Sequence, residues 1–150
     1  MKNRNFRNVK LAAVALLAAA LAPQALRAQK TCSNSTLKGT YIASSTGTVV
    51  GVGPAAVVNG ATFDGSGTGT VFGETISMNG TITSGVTGTV TYAVNADCTG
   101  SDTITMSTGA VADFNFLVKE NGSKFFFIST DSGFVASGEG VRLDGQHGQK

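Results

Sequence analysis

Beyond its first 28 residues the chain is built from short stretches in which apolar and polar residues alternate, with turn residues between them. Val90, Tyr92 and Val94 share one parity, and Thr89, Thr91 and Ala93 the other. Ala112, Phe114, Phe116 and Val118 alternate with Val111, Asp113, Asn115, Leu117 and Lys119. Phe72, Glu74, Ile76 and Met78 again fall on one parity. A repeat of two is the repeat of a β-strand, whose successive side chains point to opposite faces. Nowhere after residue 28 do apolar residues recur at helical spacing. Asn59-Gly60, Asp64-Gly65, Asn79-Gly80 and Asn121-Gly122 are turn pairs that tolerate the positive φ of tight hairpins. The 20 glycines mark turns, bulges and barrel corners, and the many threonines suit a pleated surface.

This pattern predicts strands near 36–44, 47–52, 55–63, 67–77, 80–83, 87–95, 101–107, 111–119, 123–130 and 133–143, some of which merge to leave about eight. The connections are too short for crossover helices, so the strands run antiparallel in an up-and-down order. An open sheet of that size exposes two unpaired edges, and closure removes them. An all-β fold is therefore expected, a small antiparallel β-barrel of about eight strands, with a two-sheet β-sandwich as the alternative. Charged residues make up only 13% of the chain, which excludes a coiled coil or a highly charged disordered segment.

The start of the chain is of another kind. Lys2, Arg4, Arg7 and Lys10 precede an apolar run from Leu11 to Ala22, then Pro23 and small residues to Ala28. That is the three-part form of a cleavable signal peptide. The run is 12 residues long, short of the ~20 needed to span a bilayer. The domain plan is thus a signal peptide over 1–28, one β-barrel domain over 29–143 and a polar tail over 144–150, with a secreted or periplasmic location. Gln29 spoils a lipid-anchoring motif before Cys32. Five of the 11 basic residues leave with the leader, so the mature chain is weakly acidic, at about −3. Such a chain lacks the basic footprint of a nucleic-acid binder and the polybasic patch of a membrane-surface protein. An outer-membrane barrel is disfavoured because aromatic girdles are missing: there are two Tyr, no Trp and no terminal aromatic. Both cysteines, Cys32 and Cys98, survive cleavage, and in an exported chain an even pair reads as a disulfide.

Chemistry is sparse. Asp64-Gly65-Ser66-Gly67-Thr68-Gly69 resembles the opening of a calcium loop, but Thr75 stands where a bidentate Glu is required, and a hairpin turn explains the segment better. Asp97 and Asp102 flank a turn and read as turn residues without catalytic roles. His147 lies in the polar tail, so neither a Ser-His-Asp nor a Cys-His site has a placed base. No catalytic residue, metal or cofactor is assigned, and the chain leans away from being an enzyme. Asn34-Ser35-Thr36, Asn79-Gly80-Thr81 and Asn121-Gly122-Ser123 match the glycosylation sequon, which carries no sugar in a bacterium. Phe125-Phe126-Phe127-Ile128 sets large apolar side chains on both faces of one strand, and a covered outer face is the expected reading.

Three segments, Leu37-Lys38-Gly39-Thr40-Tyr41, Tyr92 to Gly100 and Ser137-Gly138-Glu139-Gly140-Val141-Arg142, resemble a family of small secreted bacterial β-rich proteins with paired cysteines and no assigned function. More distantly, Gly39-Thr40-Tyr41 with a late Arg142 is similar to the calycin (lipocalin-like) arrangement, in which an early Gly-x-Trp strand packs on a basic residue of the last strand; here Tyr41 takes the place of Trp. The calycin resemblance implies a barrel with a ligand site. Three functions follow: a non-enzymatic barrel binding a small hydrophobic molecule, a structural or surface-interaction protein with a filled core, and a barrel cyclase or isomerase. For the first, Tyr41, Phe72, Tyr92 and Phe116 are candidate ligand-binding wall residues, and Arg142 closes one end, stacked on Tyr41 or bonded to a ligand anion.

Overall fold

A computed structural model describes residues 31–143; the leader, the polar tail and His147 lie outside them. Eight strands follow one another: β1 (Lys38–Val49), β2 (Gly53–Asp64), β3 (Thr68–Met78), β4 (Thr81–Val94), β5 (Thr99–Met106), β6 (Val111–Val118), β7 (Lys124–Ser129) and β8 (Phe134–Arg142). Each pairs antiparallel with the next, and β8 returns to β1, so the sheet closes into a barrel and not a sandwich. The ten expected segments become eight by two fusions. Segments 36–44 and 47–52 join in β1, and 80–83 and 87–95 join in β4. Asn79 and Gly80 both take positive φ, and Met78 pairs with Thr81, which makes the tight hairpin anticipated from that dipeptide.

One expected turn is not a turn. Asn59-Gly60 lies inside β2, where Gly60 pairs with Ile42 on one side and Phe72 on the other. The Phe72 ring covers Gly60 so closely that a Cβ there would collide with it. Glycine serves that position by letting a neighbouring ring lie on the backbone.

The two ends of the barrel differ. At one end the chain enters through a short 3₁₀ turn, Asn34–Thr36, and Leu37 closes the lumen with 1% of its surface exposed. Cys32 and Cys98 form the expected disulfide there, with Cα atoms 5.0 Å apart. Asn34 ties the turn to two loops: its Oδ1 accepts from the Val94 N–H at 2.8 Å, and its Nδ2 donates to the Ser66 carbonyl at 3.2 Å. Beneath Leu37 the rings of Tyr41, Phe63, Tyr92 and Phe125 meet edge-on, with centroids 5.2–5.5 Å apart for Tyr41–Phe63, Tyr41–Phe125 and Phe63–Tyr92. Edge-to-face contact of this kind adds about 0.5–1.5 kcal/mol per pair beyond area burial. Phe116 and Phe125 fit because their cross-strand partners are Gly100 and Gly140, whose missing side chains leave room for the rings.

The outer face of β7 departs from expectation. Phe125 and Phe127 point inward, but Phe126 and Ile128 are 48% and 55% exposed, and Leu117, the cross-strand partner of Phe126, is exposed as well. Among the described residues no second layer lies outside the barrel to cover that face. Lys124 shields it in part: its Nζ lies 4.8 Å from the Phe126 centroid and 2.6 Å from Glu139 Oε2. Among the described residues no helix is long and apolar enough to cross a membrane.

Candidate binding cavity

The opposite half of the barrel is hollow. Small or flexible inward residues, among them Ala43, Ala55, Ala112, Ile76 and Met78, line a cavity of about 620 Å³ above a floor that includes Phe63 and Phe125. That volume lies within the range of small-molecule sites, ~300–1,000 Å³, and the wall is mostly apolar, as such sites are. The cavity lies on the side where Val49, Met78, Met106 and Phe134 end or begin their strands.

Polar groups enter this wall at few places. Glu74 is 1% exposed and lines the cavity. The β3 ladders explain how it gets there. Against β4, Val71 pairs with Gly88 and Glu74 with Val86, so β3 carries one extra residue between them. Gly73 sits in that bulge at φ +63°, a backbone state that costs glycine little. Phe72 faces outward by alternation with Val71, and the bulge then swings Glu74 inward onto the face of Val71. A second irregularity follows on β4, where Gly85 has φ +74°.

Asn59, inward from β2, donates from Nδ2 to Glu74 Oε2 at 3.0 Å. Glu74 Oε1 and Asn59 Oδ1 are both buried and have no protein partner. Burial pushes the Glu74 carboxyl above the usual range, against the smaller opposing effect of the Asn59 hydrogen bond. Asp102 also lines the cavity, and its Oδ1 is likewise buried without a partner. Burial first, and the nearby charge of Asp113 second, push Asp102 up to about 7.

This placement corrects the reading of Asp102 as a turn residue. It lies within β5, opposite the inward Tyr92 and Phe114, and so shares their face. Asp97 does stay in the turn, where its Oδ1 accepts from the Thr99 N–H at 3.0 Å and the Thr99 hydroxyl at 2.7 Å. Asp64 caps its own loop in the same way, accepting from the N–H groups of Ser66 and Thr68 at 2.7 and 3.0 Å. Among the described residues no cluster of three or more His, Cys, Asp or Glu is placed to hold a metal ion.

The residues singled out from the sequence are dispersed. Tyr41, Tyr92 and Phe116 come together, but in the packed end below the floor and not on the cavity wall. The Tyr41 hydroxyl donates to the Gly122 carbonyl at 2.6 Å; that of Tyr92 donates to the Leu37 carbonyl at 2.8 Å and accepts from the Gly65 N–H at 2.9 Å. Phe72 is on the outside, 46% exposed. Arg142 is the cross-strand partner of Tyr41 at the closed end, where its stem runs past Gly39. Glu74 and Asn59 were not singled out. The available signal was a lone Glu in the apolar stretch Val71-Phe72-Gly73-Glu74-Thr75-Ile76, beside a glycine able to form a bulge.

No protein-family model matches the chain, and neither a curated protein nor a solved structure does. What the barrel can do is therefore argued from its own geometry.

Proposed function

We propose that this is an exported, non-enzymatic binding barrel of calycin-like design, which takes a small, largely apolar molecule into its open half. The cavity of about 620 Å³ with its apolar wall carries the reading. Export is supported by the leader and by the disulfide, which is suited to an oxidising compartment. The calycin-like design is supported by the pairing of Tyr41 with Arg142 across the first and last strands. The experiment is titration with N-phenyl-1-naphthylamine, a neutral apolar fluorophore. One saturable site per chain is expected, and Ala112→Phe, which projects a ring into the cavity, should abolish it. Absence of saturable binding, or binding that ignores Ala112→Phe, overturns the proposal.

A second reading, surface interaction through the barrel exterior, is favoured by the exposed group Leu117, Phe126 and Ile128. It predicts that Phe126→Ser changes self-association or partner capture while leaving the fluorophore titration intact.

A further inference from the structure

Resting on the binding reading above, we propose that the cavity selects apolar molecules that carry an amine, seated as an ammonium on Glu74 and Asn59. The acceptor pattern points that way. Glu74 Oε1 and Asn59 Oδ1 both lack partners, and they belong to side chains joined by one hydrogen bond, so the two open acceptors are neighbours. An ammonium has three donors and no acceptor, and it satisfies adjacent acceptors without leaving a lone pair of its own buried. A hydroxyl has a single donor, and a carboxylate has none.

Charge points the same way. Among the described residues, the titratable ones lining the cavity are Glu74, Asp102 and Asp131, and no Lys, Arg or His lines it. Asn59 faces Glu74 from β2, and Val86 opposes it from β4, so no cation among the described residues neutralises it there. Asp102 is flanked by Tyr92, Phe114 and the further negative charge of Asp113. An unpaired buried carboxylate is costly, and a group in that position takes up a proton unless a cation arrives. An incoming alkylammonium supplies the cation, and the carboxylate pairs with the nitrogen. A fatty-acid carboxylate would bring a like charge beside existing acids, with no cation to meet it.

The test is displacement of N-phenyl-1-naphthylamine at neutral pH by n-decylamine, n-decan-1-ol and n-decanoate, which share one chain length. Decylamine is expected to compete at a concentration at least tenfold below decanol, with decanoate the weakest. Glu74→Gln keeps the shape and should erase the preference for amine over alcohol, and a cooperative thermal melt shows that the variant is folded. Equal competition by amine and alcohol, preference for decanoate, or an amine preference that survives Glu74→Gln overturns the amine assignment and leaves the binding reading standing. Failure of the fluorophore and of all three competitors to bind overturns both.

Discussion

The two halves of this barrel are built from the same eight strands, yet one is packed solid and the other is hollow. At the closed end three large rings meet a glycine across the ladder: Phe63 meets Gly39 and Gly69, Phe116 meets Gly100 and Phe125 meets Gly140. Volume is then complementary, and the rings fill the lumen. In the open half small residues such as Ala43, Ala55 and Ala112 line the lumen, and space is left. Strand number sets the outer diameter of a barrel. Whether it encloses a cavity is decided by how side-chain volumes are distributed along its axis.

The sharpest way to break the contrast is to attack the closed end. Replacing both Cys32 and Cys98 by Ser releases a bridge spanning 66 residues, and on the chain-entropy argument this costs about 4 kcal/mol. Phe63→Ala should cost about 3–4 kcal/mol, because Phe63 touches Tyr41, Tyr92 and Phe125 at once and the site cannot collapse. Ile76→Ala, in the open half, should cost about 1 kcal/mol, since its neighbours already border empty space. Denaturant unfolding of the three variants measures the difference. Equal losses for Phe63→Ala and Ile76→Ala would show that the halves are packed alike.

The acids give the halves different responses to pH. Asp102 is raised to about 7 in the folded chain, and Glu74 is also raised. Between the ordinary carboxyl value near 4 and about 7 the native state therefore holds protons that the unfolded chain has lost, and stability falls as pH rises. For Asp102 we expect a decline of about 2 kcal/mol across that window, flattened by Asp102→Asn. Asp64 and Asp97, held low chiefly by hydrogen bonds from the side chains of Ser66 and Thr99, act with the opposite sign, and their stabilisation is lost only as pH falls below about 4. Thermal melting from pH 4 to 8 separates the two groups; a stability that rises steadily over that range would contradict the buried acids.

What could be read from the sequence follows the range of the interaction involved. Strand identity is local, because a repeat of two is visible in residues such as Ala112 to Val118, and so is a hairpin set by Asn79-Gly80. The inward facing of Tyr41, Tyr92 and Phe116 was legible on the same ground. Whether those residues bound a cavity or fill a core was not, because that depends on Gly100, Phe63 and Phe125, which reach them only through closure of the sheet. The bulge at Gly73 breaks the parity that grouped Phe72 with Glu74, Ile76 and Met78, so Phe72 faces out while the other three line the cavity. Asp102 was hidden by a sound local argument, that Asp beside a turn caps it, which holds for Asp97 five residues earlier. Asn59-Gly60 was misread as a turn because the ring of Phe72, from another strand, is what requires that glycine.

The smallest expected effect tests the same contrast by adding volume in place of removing it. Ala112 lines the cavity, and a side chain enlarged there grows into open space. Ala112→Val buries two further methyl groups against existing wall, adds a β-branched residue to a strand and meets no backbone, so we expect it to stabilise by about 0.5–1 kcal/mol. At the closed end the matching step is Gly140→Ala, where a Cβ would collide with the Phe125 ring. That ring is packed on Tyr41 and Phe116 and can give way only by leaving those contacts toward the cavity, so the substitution should destabilise by about 2 kcal/mol. Opposite signs for additions of similar size can arise only if the space is unequally distributed, and unfolding curves of the two variants resolve it. Destabilisation by Ala112→Val would mean that the open half is already filled, and the binding proposal would lose its site.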